Sequence, residues 1–342
     1  MTQNKTILVT GAAGYIGSHT CVELLAAGFD VVALDNLCNS SAESLGRVRE
    51  IAGRDLTFHH GDVRDRALLQ RVFAASRIDA VIHFAGLKAV GESVRLPLMY
   101  YDTNVAGSVI LLEEMTSAGV RDFVFSSSAT VYGDPDSVPI REDARLSTTN
   151  PYGSSKLMVE QLLGDLARSD ASWAIGVLRY FNPGGAHVSG RIGEDPRGIP
   201  NNLLPYIAQV AVGRLAHLSV FGDDYPTVDG TGVRDYIHVV DLAIGHVAAL
   251  RRLIESRAGF TVNLGTGHGC SVLEMIHAFE QASGRSIPYK IVARRPGDIA
   301  RCFADATHAQ QLLGWKAERG IDQMCADHWR WQSANPAGFG QP

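Results

Sequence analysis

The 342-residue chain is notable first for what it has little of. No run approaches the ~18–20 consecutive apolar residues of a membrane span. Lysine is scarce, with five in the whole chain, and the net charge is -5. A basic excess is therefore missing, which argues against nucleic acid or an anionic membrane surface as the main partner. The five cysteines (Cys21, Cys38, Cys270, Cys302 and Cys325) are odd in number and scattered, with no Cys-x-x-Cys. They read as free thiols in a reducing cytosol, so a cytoplasmic location is expected. Twelve histidines are equally dispersed, without ligand-like spacing, and no catalytic metal is expected. A strand-like segment begins almost at once and leaves no room for a signal peptide. There is no internal repeat and no low-complexity segment. What remains, 46% hydrophobic and 20% charged, is ordinary for a soluble globular protein. The length suggests two domains or lobes around a large core.

Because lysine is scarce, its position matters. Asn150-Pro151-Tyr152-Gly153-Ser154-Ser155-Lys156 places a tyrosine and a lysine four residues apart. In a helix both would leave the same face. Asn150 is a good N-cap and Pro151 suits the first helical position. The pair would then sit near the positive end of the helix dipole. A phenol titrates near ~10, and a neighbouring ammonium, a helix end and a bound cation would each lower that value. The expectation is an acid-base tyrosine usable near neutral pH.

At the other end of the first half, Thr6-Ile7-Leu8-Val9-Thr10 reads as a buried parallel strand. It runs into Gly11, Gly14 and Gly17, spaced Gly-x-x-Gly-x-x-Gly. A helical pattern follows, then a second strand over 31–34 that stops at Asp35. Strand, glycine turn, helix, strand and acid form the dinucleotide-binding arrangement. Glycine lets the backbone turn tightly and approach a pyrophosphate, and the helix N-terminus faces the phosphates. Asp35 would accept hydrogen bonds from the adenosine ribose. Its charge would repel a 2′-phosphate, and Asn36-Leu37-Cys38-Asn39 offers no compensating base. NAD is therefore expected rather than NADP.

Further strands are predicted over 56–58, 79–86, 122–128 and 175–181, with helical patterns between the earlier ones. Such alternation predicts an α/β fold with a parallel sheet and helices on both faces. Ligands of such sheets bind beyond the carboxyl ends of the strands, where Asp35, Asp62, Phe84, Ala85, Gly86 and Ser128 all fall. Asp62 is either an ordinary turn aspartate or a partner of the adenine amino group. Asn104, on a helical stretch, would be a buried polar support. From 184 to 235 the chain turns rich in Gly, Pro, Asn and Asp, as suits loops shaping a pocket. Helical patterns over 203–212, 239–254 and 271–283 follow, with strands over 260–263 and 289–292. Residues 336–342 read as a loose tail.

Three motifs carry a resemblance. Gly-x-x-Gly-x-x-Gly, Ser-Ser-Ser-Ala-Thr-Val-Tyr-Gly (126–133) and Pro-Tyr-Gly-x-Ser-Lys (151–156) resemble the extended short-chain dehydrogenase/reductase family. Longer runs, at 83–93, 178–183, 198–203 and 230–238, are similar to those members that invert C4 of UDP-hexoses. The likeness extends from the first strand to about Trp331. It implies a Rossmann-like doubly wound sheet carrying NAD over 1–183, with the catalytic residues. A smaller mixed α/β lobe for the UDP-sugar would span 184–335, with about 236–265 returning to the first domain. By the same resemblance Tyr152 is the base, Lys156 binds the nicotinamide ribose and lowers the tyrosine pKa, and Ser128 holds the sugar 4-oxygen. Tyr15, Ile16, Asp35, Asn36, Asp62, Val63, Phe84, Ala85, Gly86, Lys88 and Tyr180 would line the NAD site. Asn182, Asn202, Leu203, Phe221, Arg234, Arg295 and Asp298 would hold the UDP part. Taken alone, Arg234 or Arg295 reads as a surface ion-pair partner. The implied substrates are UDP-galactose and UDP-glucose, and family members are commonly homodimers through a helical bundle.

Cys302 occupies a place where some members carry a tyrosine that narrows the sugar pocket. A small residue there leaves room for a 2-acetamido group, so UDP-GlcNAc and UDP-GalNAc are expected substrates as well. Two rival readings remain, a UDP-glucuronate 4-epimerase and a non-catalytic NAD-sensing protein. A 4,6-dehydratase would need carboxylates after the serines, where this chain has Ser128-Ala129-Thr130.

Overall fold

The computed structural model describes residues 4–295 and 297–340. Pro296 and the last two residues of the predicted tail lie outside them. Strand β1 (Thr6–Thr10) runs into the glycine turn, helix α1 (Tyr15–Ala26) and strand β2 (Asp30–Asp35). Helix α2 (Ala42–Ala52), strand β3 (Thr57–His60), helix α3 (Arg66–Ala75) and strand β4 (Ala80–His83) continue the alternation. Short helices α4 (Val90–Arg95) and α5 (Pro97–Tyr100) lead through a π-helical turn, Tyr101–Ala106, into α6 (Gly107–Ser117). Strand β5 (Asp122–Ser128), helix α7 (Pro151–Ser169) and strand β6 (Ala174–Tyr180) complete the first half.

The second half begins with β7 (Asn182–Gly184), α8 (Leu203–Ala211), β8 (Leu218–Phe221), β9 (Val233–Arg234) and β10 (Tyr236–His238). It goes on through α9 (Val239–Ser256), β11 (Phe260–Leu264), β12 (Cys270–Ser271), α10 (Val272–Ser283) and β13 (Tyr289–Val292). Strand β14 (Arg301–Cys302) and helices α11 (Thr307–Leu313) and α12 (Ile321–Ala334) close the chain.

Seven strands form one parallel sheet in the order β11-β6-β5-β4-β1-β2-β3. The order reverses at β1, which pairs with β2 on one side and β4 on the other. A crevice therefore opens beyond the carboxyl ends of β1 and β4. Alternate residues face opposite ways, so one strand feeds two cores. Ile7 and Val9 pack with Leu24 and Leu25 of α1 and Leu242 and Leu250 of α9. Leu8 packs on the other face with Leu69 of α3, Met115 of α6 and Val159 of α7. This is a doubly wound sheet with helices on both faces.

Strand β11 joins the sheet beside β6, while β10 pairs with β7 away from it. A third core, with Ile207, Val220, Met275, Phe279 and Met324, holds the smaller lobe together. Its strands make two small sheets, the parallel pair β13 on β8 and the mixed β12-β9-β14. The predicted loose tail needs correction. The Phe339 backbone N–H donates to Asp195 Oδ2 at 2.9 Å, and its ring lies 4.7 Å from that of Trp331. An aromatic side chain with a buried partner holds residues 336–340 to the lobe.

Candidate active site

The glycine turn forms because nothing larger fits. Gly11 has φ +69°, and a Cβ there would lie 2.7 Å from the backbone nitrogen of Ala85. At Gly17 a Cβ would come within 2.2 Å of the Gly11 carbonyl oxygen. The turn thus lies flat against the end of β4 and enters α1 directly. Gly14 is the N-cap of α1, and no side chain caps it. Such a helix start presents backbone N–H groups suited to phosphate oxygens.

Asp35, at the end of β2, ties this turn to the next loop. Its Oδ2 accepts from the Ala13 N–H at 2.9 Å. Its Oδ1 accepts from the Leu37 N–H at 2.9 Å and the Ser40 hydroxyl at 2.7 Å. Asn36 donates to Asp62 Oδ2 at 2.9 Å, so these two predicted residues touch. Arg64 also grips Asp62 and holds its carboxyl far below the usual range. Val63 and Ile16 pack into the two cores. The Phe84 ring lies 4.7 Å from that of His246. Gly86 sits under Asn104, whose Oδ1 is 3.0 Å from where a Cβ would be. Tyr15 points its hydroxyl away from this loop, donating to the Gly185 carbonyl at 2.7 Å.

Helix α7 starts as its sequence suggests. Asn150 Oδ1 accepts from the Gly153 N–H at 2.9 Å, with Pro151 as the first helical residue. Tyr152 and Lys156 both point inward and are buried. Asn104 braces this helix by donating to Ser155 Oγ at 2.9 Å, and Ser155 donates to the Tyr152 carbonyl at 2.7 Å. Lys156 Nζ donates to the Ser126 carbonyl at 2.8 Å. The Ser126 hydroxyl bonds the phenol of Tyr180. Ser128, the last residue of β5, accepts from the Thr130 hydroxyl at 3.0 Å.

Burial pushes the Tyr152 phenol above its usual value, and only the hydrogen bond from Ser128 pulls it down. Lys156 spends its proton on the Ser126 carbonyl, and burial lowers it to about 8. Desolvation penalises both charged forms, and here it outweighs proximity in the sequence.

On the lobe side, Arg295 stacks 4.4 Å over the Phe221 ring and pairs with Asp298 at 3.2 Å. Three predicted residues thus converge. Cys302 lies in register with Arg234 across β14 and β9. Burial pushes its thiol up to about 11, against a downward pull from Arg234. Asn182 is exposed in β7 and its N–H donates to the Asp235 carbonyl at 3.0 Å. Asn202 precedes α8 without capping it, although Leu203 opens that helix. Instead Asn202 Nδ2 donates to Glu194 Oε1 at 2.7 Å, and Lys88 Nζ reaches the same oxygen at 3.0 Å. Glu194 was missed at the sequence level, since a lone acid in a glycine-rich loop carries no periodic signal.

The family model described as GDP-mannose 4,6 dehydratase matches residues 8–328. The UDP-glucose 4-epimerase of Bacillus subtilis (strain 168) is 64% identical over 333 residues, 97% of this chain and 98% of its own. That of Haemophilus influenzae (strain ATCC 51907 / DSM 11121 / KW20 / Rd) is 63% identical over 335 residues, 97% and 99%. The chain belongs to the UDP-glucose 4-epimerase family. Among solved structures, UDP-glucose 4-epimerase from Bifidobacterium longum in complex with NAD+ and UDP superimposes with a TM-score of 0.94. It is 57% identical, covering 98% of this chain and 100% of that one. The family model's dehydratase description sits beside a chain with no carboxylate at Ser128-Ala129-Thr130. Elimination of water needs an added acid-base pair, and epimerisation does not.

Proposed function

We propose that this protein inverts C4 of UDP-hexoses reversibly, interconverting UDP-galactose and UDP-glucose with a tightly held NAD. The observation that carries this reading is buried Tyr152 hydrogen-bonded to Ser128, with Lys156 held to the same strand through the Ser126 carbonyl, in a sheet whose glycine turn admits no Cβ. The turn and the uncapped start of α1 suit a pyrophosphate, and Asp35 with Asn36, at the end of β2, would meet the adenosine ribose. Bound NAD would take a hydride from the sugar C4, leaving a 4-ketone, and return it to the opposite face. Tyr152 would remove the hydroxyl proton and give it back. Ser128 would hold the 4-oxygen while its hydrogen bond steadies the phenolate. Lys156, fixed to β5, would bind the nicotinamide ribose. Arg234, Arg295, Asp298 and Phe221 would grip the nucleotide while the sugar stays free to turn.

The test is purified protein incubated with UDP-galactose and no added NAD. Formation of UDP-glucose is the expected result. Its absence, from protein that releases NAD on denaturation, would overturn the reading.

Three finer points belong to the same proposal. Cys302 packs against the cluster that includes Ala129 and Phe181, so a small side chain stands at the edge of the core that follows Ser128. That supports acceptance of UDP-GlcNAc and UDP-GalNAc. Val94, Leu98 and Met158, on α4, α5 and α7, are 62%, 82% and 45% exposed. An apolar face this open suits a homodimer built from these helices. The five cysteines are all free, which supports a reducing cytoplasm. No helix among the described residues is long and apolar enough to cross a membrane.

A further inference from the structure

Glu194 lies in the loop between β7 and α8 and is only 4% exposed. Its Oε1 accepts from two directions, Lys88 Nζ at 3.0 Å and Asn202 Nδ2 at 2.7 Å. Lys88 follows β4, on the side assigned to the cofactor. Asn202 precedes α8, on the side assigned to the nucleotide of the substrate. One buried oxygen therefore joins both halves of the site. The Trp331 indole N–H donates to the Glu194 backbone carbonyl at 3.2 Å, which fixes the loop. Three residues on, Arg197 donates to the carbonyls of Leu37 at 3.0 Å and Ser40 at 3.1 Å. Those carbonyls belong to the loop that Asp35 organises. The segment from 194 to 202 is thus pinned to the cofactor side at both Lys88 and the Leu37 loop.

The chemistry of the link is unusual for a merely structural acid. A carboxylate this buried needs compensation, and here Lys88 is its ion-pair partner. The lysine side chain is itself 47% exposed, so the pair stands at the edge of the site. Glu194 Oε2 is buried with no hydrogen-bond partner among the described residues. Leaving a buried acceptor unpaired costs stability, so a feature of this kind calls for a functional account.

We propose that Glu194 is a positioning residue that couples the two halves of the site. When UDP orders Asn202, Glu194 is held, and through Lys88 the cofactor loop is held with it. Coupling between sites is reciprocal, so UDP binding should slow the loss of NAD. This rests on the reading of the site given above.

The test compares the rate of NAD loss from the holoprotein in dilute urea, with and without saturating UDP. UDP should slow that loss at least ~5-fold in the natural protein and less than ~2-fold in Glu194→Ala, as a broken coupling requires. Glu194→Gln, which keeps an acceptor for Asn202 but not the charge facing Lys88, should fall between. Lys88→Met cuts the same link from an exposed position and should behave as Glu194→Ala does, even if the latter folds poorly. An unchanged UDP effect in Lys88→Met or Glu194→Ala would overturn the proposal, as would no UDP effect in the natural protein. Failure of the functional reading would show separately, as natural protein that does not convert UDP-galactose.

Discussion

Lys156 Nζ stands 2.8 Å from the carbonyl oxygen of Ser126, inside the protein and with its ammonium 5.0 Å from the centre of the Phe125 ring. Burial lowers its pKa from 10.5 to about 8, although Glu160 pulls the other way. Between those two values the unfolded chain binds a proton that the folded chain does not. Stability therefore rises with pH across that window. The natural protein should gain up to about 3 kcal/mol relative to Lys156→Met between pH 8 and 10.5. Urea unfolding of both proteins at three pH values measures it, and parallel curves would refute it.

Tyr152 differs from its partner in direction. Burial raises it and Ser128 alone lowers it. Replacing the proposed base by Tyr152→Phe should cut kcat by about 10²–10⁴, with bound NAD content unchanged. Removing the hydrogen bond by Ser128→Ala should move the rising limb of the pH–rate profile to higher pH. A profile that stays in place would remove Ser128 from the acid-base step.

The parts legible in the sequence were those set by neighbours in the chain. The glycine turn, the Asn150 cap and the Tyr-x-x-x-Lys helix face each depend on a few adjacent residues. The parallel sheet with helices on both faces followed from strand and helix alternation, although the strand order did not. The burial acting on the Tyr152 phenol was not legible, because desolvation depends on what the whole fold packs around it. Glu194 was missed because its partners are 106 and 8 residues away. The tail was misjudged because Phe339 docks on a site built by Trp331, Arg47 and Asp195. Local chemistry is written locally, whereas burial and long-range pairing are not.

Acid should unfold the protein steeply. His19 and His83 are lowered to about 3, and His246 and His328 to about 4, all chiefly by burial. Below 6.5 the unfolded chain takes up protons that the folded chain refuses, so stability falls as pH falls toward those values. Each group costs about 1.4 kcal/mol by pH 5.5, or roughly 5–6 kcal/mol for the four. His246→Phe, between the rings of Phe84 and Tyr180, should flatten the slope by about one proton. Calorimetry from pH 7 to 5 reads it directly, and an unchanged slope would exclude His246 from the acid response.

The apolar face of α4, α5 and α7 gives a separate prediction. Leu98 is 82% exposed and Val94 62%. Charging both, by Leu98→Arg and Val94→Arg, should convert a dimer into monomer at micromolar concentration. Light scattering after gel filtration would record it. A natural protein that is already monomeric would dismiss this interface.

Cys302 tests the breadth of the sugar pocket. It lies half-buried in β14, in register with Arg234 and packed against the cluster that contains Ala129, the residue after Ser128. A tyrosine there adds a ring where a thiol now stands. The ring would occupy space that a 2-acetamido group needs and a 2-hydroxyl does not. Steric exclusion of this kind should reduce kcat/KM for UDP-GalNAc by about 10–200-fold in Cys302→Tyr. Turnover of UDP-galactose should change far less, because the contacts proposed for it with Tyr152 and the nucleotide side would be untouched. The ratio of the two kcat/KM values, rather than either alone, separates exclusion from general damage. If natural protein converts UDP-galactose but not UDP-GalNAc, or if the ratio is the same in the variant, Cys302 does not set the size of the pocket.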